Sequence, residues 1–164
     1  MGDISGPKLV KRRTMRRKDV RRLKDEAGDL LRDETNSIIQ AETEGGITVF
    51  IIEGDIKLAR RDEVLFPTLL NESVEELPSV LVDMGAIPYV CNGADVMSPG
   101  IVGIDGEFSE GDLVIVKDER HRKSLAVGVA LVKSEDMREM PKGKAVKSIH
   151  YVGDKLWKVT SSLL

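Results

Sequence analysis

Between residues 16 and 34 the apolar positions Val20, Leu23, Ala27, Leu30 and Leu31 recur three and four residues apart. That spacing predicts one face of an amphipathic helix. The period then shortens. Residues 37–43 and 47–53 read as strands on either side of Glu44-Gly45-Gly46, a hairpin signal. A second turn at Glu53-Gly54-Asp55 leads into a third strand over 56–60. An apolar stretch over 65–70 is interrupted by Pro67, and 71–76 reads as a polar helix start or linker. Residues 14–76 therefore predict a small α+β unit built on a three-stranded meander.

Pro78 opens a second unit with a different texture. A short apolar strand over 80–82 precedes a helical turn over 85–91, and a glycine loop, Asn92-Gly93-Ala94-Asp95, runs on into Ser98-Pro99-Gly100. Strands follow at 101–104, 113–117, 125–132, 145–151 and 156–159, punctuated by Asp105-Gly106, Glu110-Gly111-Asp112, residues 118–123 and Gly153-Asp154. Ser134 is placed to cap a helix over 135–140, which Pro141 ends. Many short strands with glycine turns between them predict a small closed β-barrel with helices at its ends. Glycine lacks a Cβ, so the bends at Gly85 and Gly93 suit backbone N–H groups brought close to a ligand. The same glycines also fit plain turns.

Charge changes this picture more than composition does. The net charge of −3 conceals a segregated chain. Residues 1–24 carry ten Lys/Arg against two Asp; residues 25–77 are net −10, and residues 78–164 are net −1. A clustered basic segment is the electrostatic footprint of nucleic-acid binding, which makes Arg12, Arg13, Arg16, Arg17 and Arg21 candidate phosphate contacts. A solvated charged face is the competing reading. Residues 1–13, broken by Gly6-Pro7, read as a mobile basic arm. In the helix that follows, bases precede acids, the reverse of what the helix dipole prefers.

Other features narrow the class. No apolar run approaches the roughly 18 residues of a membrane span, and the opening MGDISGPKLVKRR has no apolar core of a secretory signal. A single cysteine, Cys91, leaves no internal disulfide and no cysteine-based zinc site, and fits a cytoplasmic protein. His121 and His150 have no metal-ligand spacing around them. His150, within a strand, reads as a packed, hydrogen-bonded residue. Tyr151 and Trp157 could stack on bases, but core packing is the more ordinary use of large aromatics. No phosphate loop, nucleophile constellation or carboxylate pair marks a catalytic site, and no cofactor is expected.

Four stretches, VDMGAIPYVCNGADVMSPGI, EFSEGDLVIV, AVGVALVKSEDM and KGKAVKSIHYVGDKLW, occur in an order and spacing that resembles the PUA domain, an RNA-binding pseudo-barrel. With the upstream LFPTLL and the α+β unit, the whole chain is similar to archaeal relatives of the malignant T-cell amplified sequence protein family. The resemblance implies an α+β N-terminal domain followed by a mainly-β PUA pseudo-barrel. It divides the chain into the arm (1–13), an N-terminal domain (14–76) and a PUA domain (77–160). Carried onto this chain, the family's RNA face comprises Gly85, Ala86, Asn92, Gly93, Ala94, Asp95, Ser98, Pro99 and Gly100, with Lys144 and Lys147 beside it. Asp95 would either cap the local turn or accept a hydrogen bond from a base edge or 2′-OH.

The function so implied is non-catalytic RNA binding to tRNA or rRNA of the small ribosomal subunit, in initiation, reinitiation or recycling. A translation-factor protein would face the acidic domain, and no membrane partner is expected. One alternative is an RNA-specificity accessory of a separate tRNA- or rRNA-modifying enzyme. Another is a protein-interaction module whose barrel no longer binds RNA.

Overall fold

The computed structural model describes residues 8–162. The chain divides into two compact units, one running to Ser73 and rejoined by the segment from Lys155, the other spanning Val74–Asp154. The division after residue 73 lies three residues before the expected boundary at 76. Residues 155–160, assigned from sequence to the second domain, group with the first.

The first unit is a five-stranded antiparallel sheet in the order β1 (Leu9–Thr14), β2 (Ile38–Thr43), β3 (Thr48–Ile52), β4 (Asp55–Arg61), β5 (Val64–Pro67). Helix α1 (Arg17–Ala27) brings Val20, Leu23 and Ala27 into one core with Ile38, Phe50, Ile52, Leu58 and Leu65. The helix stops seven residues short of the expected end because Gly28 takes φ 53 at its C-cap. Leu30 and Leu31 still reach that core from a 3₁₀ turn and an extended segment. Apolar spacing therefore continues past the end of the helix itself.

Two strands depart from the sequence expectation. Residues 9–13, read as part of a mobile arm, belong to β1, which pairs with β2 around a bulge at Lys11, φ 56. Its pattern is polar because nearly every side chain of this outer strand faces solvent. The break at Gly6-Pro7 lies outside the described residues. The proline-interrupted stretch at 65–70 contributes β5, so the meander has four strands in β2–β5 rather than three. Its turn uses Asp62 and Glu63, both at positive φ, 49 and 68. Paired positive φ is the requirement of a tight I′ turn, met here without glycine and so without the usual signal. Pro67 sits on an outer strand, where its missing N–H costs no ladder bond.

The second unit is a six-stranded sheet in the order β7 (Val96–Met97), β11 (Lys144–Tyr151), β10 (Ser124–Ala130), β9 (Leu113–Asp118), β6 (Ser79–Val82), β8 (Ile101–Asp105). All pairs are antiparallel except β6 with β9. Val80, Val82, Val96, Val114, Val116, Ala126, Ala145 and Val146 line a single core, joined by Val90 of helix α2 (Ile87–Val90) and Met137 of helix α3 (Ser134–Glu139). Ser134 does not cap α3. Its hydroxyl donates to Glu107 and accepts the Phe108 N–H, tying the segment before β9 to the helix start.

The expected last strand at 156–159 is instead helix α4 (Lys155–Ser162), of the first unit, with Leu156, Val159 and Thr160 buried. Positions i, i+3 and i+4 define a helical stripe, and a four-residue window containing valine was too short to separate it from strand alternation. Trp157 is thus on this helix, not in the barrel. His150 is fully buried with Nδ1 2.9 Å from Asp154 Oδ2, the packed and hydrogen-bonded role its position suggested. Among the described residues no helix is long and apolar enough to cross a membrane.

Candidate nucleic-acid interface

The two glycine bends of the second unit meet. At the end of β6, Asp83 caps a 3₁₀ turn over Met84–Ala86 by accepting the Ala86 N–H at 2.9 Å. The Asp83 N–H in turn donates to the Gly100 carbonyl at 3.1 Å. A Cβ at Gly100 would lie 3.6 Å from that of Ala86, so the Ser98–Gly100 turn rests directly against the first bend. Ser98 is buried, its N–H donating to Gly143 O and its hydroxyl to Met140 O, which fastens the turn to the segment before β11. Gly85 and Pro99 are exposed on this surface.

The loop after α2 is closed by its own backbone. The N–H groups of Asn92 and Ala94 donate to Tyr89 O, and that of Gly93 donates to Val90 O. Gly93 takes φ +90, and a Cβ there would come within 3.0 Å of the Tyr151 ring. The backbone N–H groups of Ala86, Asn92, Gly93, Ala94 and Ser98 are therefore engaged within the fold. At these five positions the peptide N–H groups are not the bare edges that the sequence suggested. Glycine is required at Gly93 by its conformation and by the Tyr151 ring beside it.

Asp95 does not cap its local turn. Its carboxylate accepts the Ser148 N–H at 3.0 Å and lies 3.5 Å from Lys144 Nζ, pinning the loop to β11. The next two residues form β7, with Val96 opposite Val146 and Met97 opposite Lys144.

What this arrangement exposes are side chains. Tyr89 is 70% and Met97 46% exposed, unusual for large apolar groups. Asn92, Ala94, Lys144 and Lys147 are also exposed, and Lys147 has no acidic partner among the described residues. The surface therefore offers an aromatic face, a thioether, an amide and two ammonium groups. Aromatic faces stack on bases and ammonium groups meet phosphates. Sequence reasoning missed Tyr89 and Met97, because a four-residue helix and a two-residue strand are too short for periodicity to tell an inward from an outward side chain. Cys91, half-buried against the barrel core, has its thiol pKa pushed up by burial.

The remaining candidates belong to the other unit. Arg12 and Arg13 lie on β1, with Arg13 donating to Gln40 at 3.3 Å. Arg16 precedes α1 and pairs with Asp19 at 3.2 Å, while Arg17 and Arg21 project from α1. Among the described residues no group of three or more His, Cys, Asp or Glu could hold a metal ion.

A mixed barrel sheet with bends of this construction defines a PUA domain, and residues 78–152 match the PUA domain family. The chain belongs to the family of PUA-domain proteins that includes the malignant T-cell-amplified sequence and Tma20 proteins. It is 39% identical to the uncharacterized protein MJ1432 of Methanocaldococcus jannaschii, over 91% of this chain and 96% of that protein. Against translation machinery-associated protein 20 of Saccharomyces cerevisiae the identity is 28%, over 79% of this chain and 76% of the other. Malignant T-cell-amplified sequence 1 of Rattus norvegicus shares 32% over 68% of this chain, which spans 64% of that longer protein. The crystal structure of a PUA domain protein from Aeropyrum pernix K1 superposes with a TM-score of 0.81 at 28% identity, covering 96% of this chain and 94% of the other. The fold is accordingly an α+β unit followed by a mainly-β PUA pseudo-barrel, and family membership supports an RNA-binding, translation-associated role.

Proposed function

We propose that this chain is a non-catalytic cytoplasmic protein that binds tRNA or the small ribosomal subunit during translation, with its PUA surface as a contact for unpaired nucleotides. The observation that carries the reading is the exposure of Tyr89 and Met97 in the unit that also exposes Lys147 and Lys144, the strand partner of Met97. In this reading Tyr89 stacks on a base, the two lysines meet phosphates, and Asn92 supplies a hydrogen-bonding edge. Gly85, Ala86, Gly93, Ala94, Asp95, Ser98, Pro99 and Gly100 shape the surface rather than grip RNA through their N–H groups. The family relatives named for the translation machinery support the cellular setting, and the acidic exterior of the first unit is the side offered to a protein partner.

Fluorescence anisotropy with a tRNA transcript tests the surface. Tyr89→Ala should weaken binding roughly tenfold with little change in salt dependence, as expected for a lost base stack. Lys144→Gln with Lys147→Gln should flatten the dependence of log K on log salt by about 1.4, at ~0.7 per phosphate contact on a single strand. Unaltered binding in both variants sinks the assignment. Capture from cell extract addresses the setting: co-purifying small ribosomal subunits support it, whereas a tRNA- or rRNA-modifying enzyme makes the chain that enzyme's RNA-specificity accessory.

A further inference from the structure

We propose that the face of α1 bearing Arg17, Arg21 and Lys24 is a second, separate RNA contact that holds phosphodiester groups, independent of base identity. The inference rests on the RNA-binding reading above and adds to it a site in the N-terminal unit. Arg17, Val20, Arg21, Lys24, Asp25 and Asn36 line an open cleft of about 420 Å³. Positions i, i+4 and i+7 lie on one face of a helix. At a rise of about 1.5 Å per residue the three cations are spread over roughly 10 Å of its axis. A linear ligand carrying repeated negative charge fits such a row better than a single small anion does.

The pairing pattern within the unit is uneven, and this cleft gathers two of its unpaired guanidinium groups on one helix face. Four cations of the unit are matched, Lys11 with Glu42 at 3.2 Å, Arg16 with Asp19 at 3.2 Å, Lys57 with Asp33 at 3.3 Å, and Arg60 with Glu26 at 2.7 Å, whereas Lys18 and Arg22, which do not line the cleft, are unpaired among the described residues. Arg17 and Arg21 have no ion-pair partner among the described residues, although residues 25–77 are net −10. Asp25 lines the cleft without pairing with either. Lys24 is held by Asn36 Oδ1 at 3.4 Å, which directs its ammonium group along the cleft. Val20, 2% exposed, gives the cleft a packed floor rather than a mobile one. Two guanidinium forks on a fixed helix present paired N–H donors to anionic oxygens. Cations near the positive end of a helix are also mismatched to its dipole until an anion arrives.

Strand β1 provides the comparison. Arg12 lines a different cleft, together with Glu53, and Arg13 is already bonded to Gln40. The basic run that is continuous in sequence is thus divided by the fold between two clefts, and on β1 Lys11 and Arg13 are already engaged.

The test uses the full chain and two probes, a fluorescein-labelled single-stranded oligouridine and a tRNA transcript, titrated over a salt series. The triple change Arg17→Gln, Arg21→Gln, Lys24→Gln should weaken both probes at least roughly tenfold and flatten the salt slope by about 2. The triple Lys11→Gln, Arg12→Gln, Arg13→Gln removes the same charge from β1 and should do much less. Equal losses in the two triples would show an effect of net charge alone and overturn the site. So would wild-type binding by the α1 triple; if Lys144→Gln with Lys147→Gln still weakens binding, the PUA reading survives that failure. A wild-type chain that binds neither probe overturns both. Displacement of oligouridine by polyglutamate at equal charge concentration points to an acidic protein segment instead and also overturns the site.

Discussion

The two units use their carboxylates differently. In the N-terminal unit they face cations, as Glu26 faces Arg60 and Glu42 faces Lys11 at the surface and Asp33 faces the half-buried Lys57. The PUA unit also has ion pairs, such as Asp105 with Arg122 and Glu107 with Arg138, but in addition five of its aspartates accept backbone N–H groups: Asp83 from Ala86, Asp95 from Ser148, Asp112 from Ser109, Asp118 from three residues, Asp154 from Tyr151. Exposed ion pairs are screened by salt and contribute little. Carboxylate–N–H bonds are short-range and fix loop shape. The first unit therefore offers charge that long-range fields can use, and the second offers a defined surface on which a base can be placed.

The sharpest way to break this comparison is at Gly93, where the PUA loop should tolerate no side chain. A β-branched residue would have to adopt φ +90 and would meet the Tyr151 ring within about 3.0 Å. Strain and overpacking together predict that Gly93→Val destabilises the protein by roughly 2–4 kcal/mol, read by thermal or denaturant unfolding. Any loss of RNA binding in that variant would follow from the damaged loop. A Tm unchanged from the parent would mean that the loop is not shaped as described.

Asp118 sharpens the comparison through pH. Its side chain accepts the N–H of His121, Lys123 and Arg120, and these bonds, that of His121 foremost, hold its carboxyl below the ordinary aspartate range. A depressed native pKa favours the folded state above the unfolded value of about 3.9. That contribution disappears as pH falls through the lower native value. Asp118→Asn should lower the Tm by several degrees at neutral pH and flatten its decline below about pH 4. Because the bonds are local and the residue is 2% exposed, added salt should leave the difference between variant and parent unchanged. Parallel Tm–pH curves would show that Asp118 does not hold the turn between β9 and β10.

How far each unit could be read from sequence follows the same division. The PUA unit announces its turns with glycine at positive φ, as at Gly93, Gly106, Gly111 and Gly153, and most of its strands could be placed from that punctuation. The N-terminal unit turns at Asp62-Glu63 and bulges at Lys11 without glycine, so β5 and β1 carried no local signal. At the candidate site the glycine bends were correctly located, but whether they open toward a ligand was not legible. Glycine marks where a chain bends, and the sequence cannot distinguish a bend opened for a ligand from one covered by Tyr151. Tyr89 was hidden for the complementary reason: an exposed aromatic in a four-residue helix looks like core until its surroundings are known.

The smallest expected effect tests the other side of the comparison. Arg60 and Glu26 form two parallel hydrogen bonds of 2.7 Å, and Arg60, first through those bonds, lowers the pKa of Glu26. The sign is that of Asp118: the pair stabilises the fold above the unfolded glutamate value of about 4.3 and is lost as pH falls through the native one. Glu26 is 46% and Arg60 30% exposed at the side chain, so solvent screens the pair. Glu26→Gln should therefore cost only about 0.5 kcal/mol in low salt and near zero in molar salt. Measured beside Asp118→Asn in the same salt series, the two variants should diverge, one penalty fading while the other holds. If the Glu26→Gln penalty instead persists undiminished in high salt, the pair acts as a fixed structural clasp, and the contrast between a charge-bearing unit and a shape-bearing unit loses its basis.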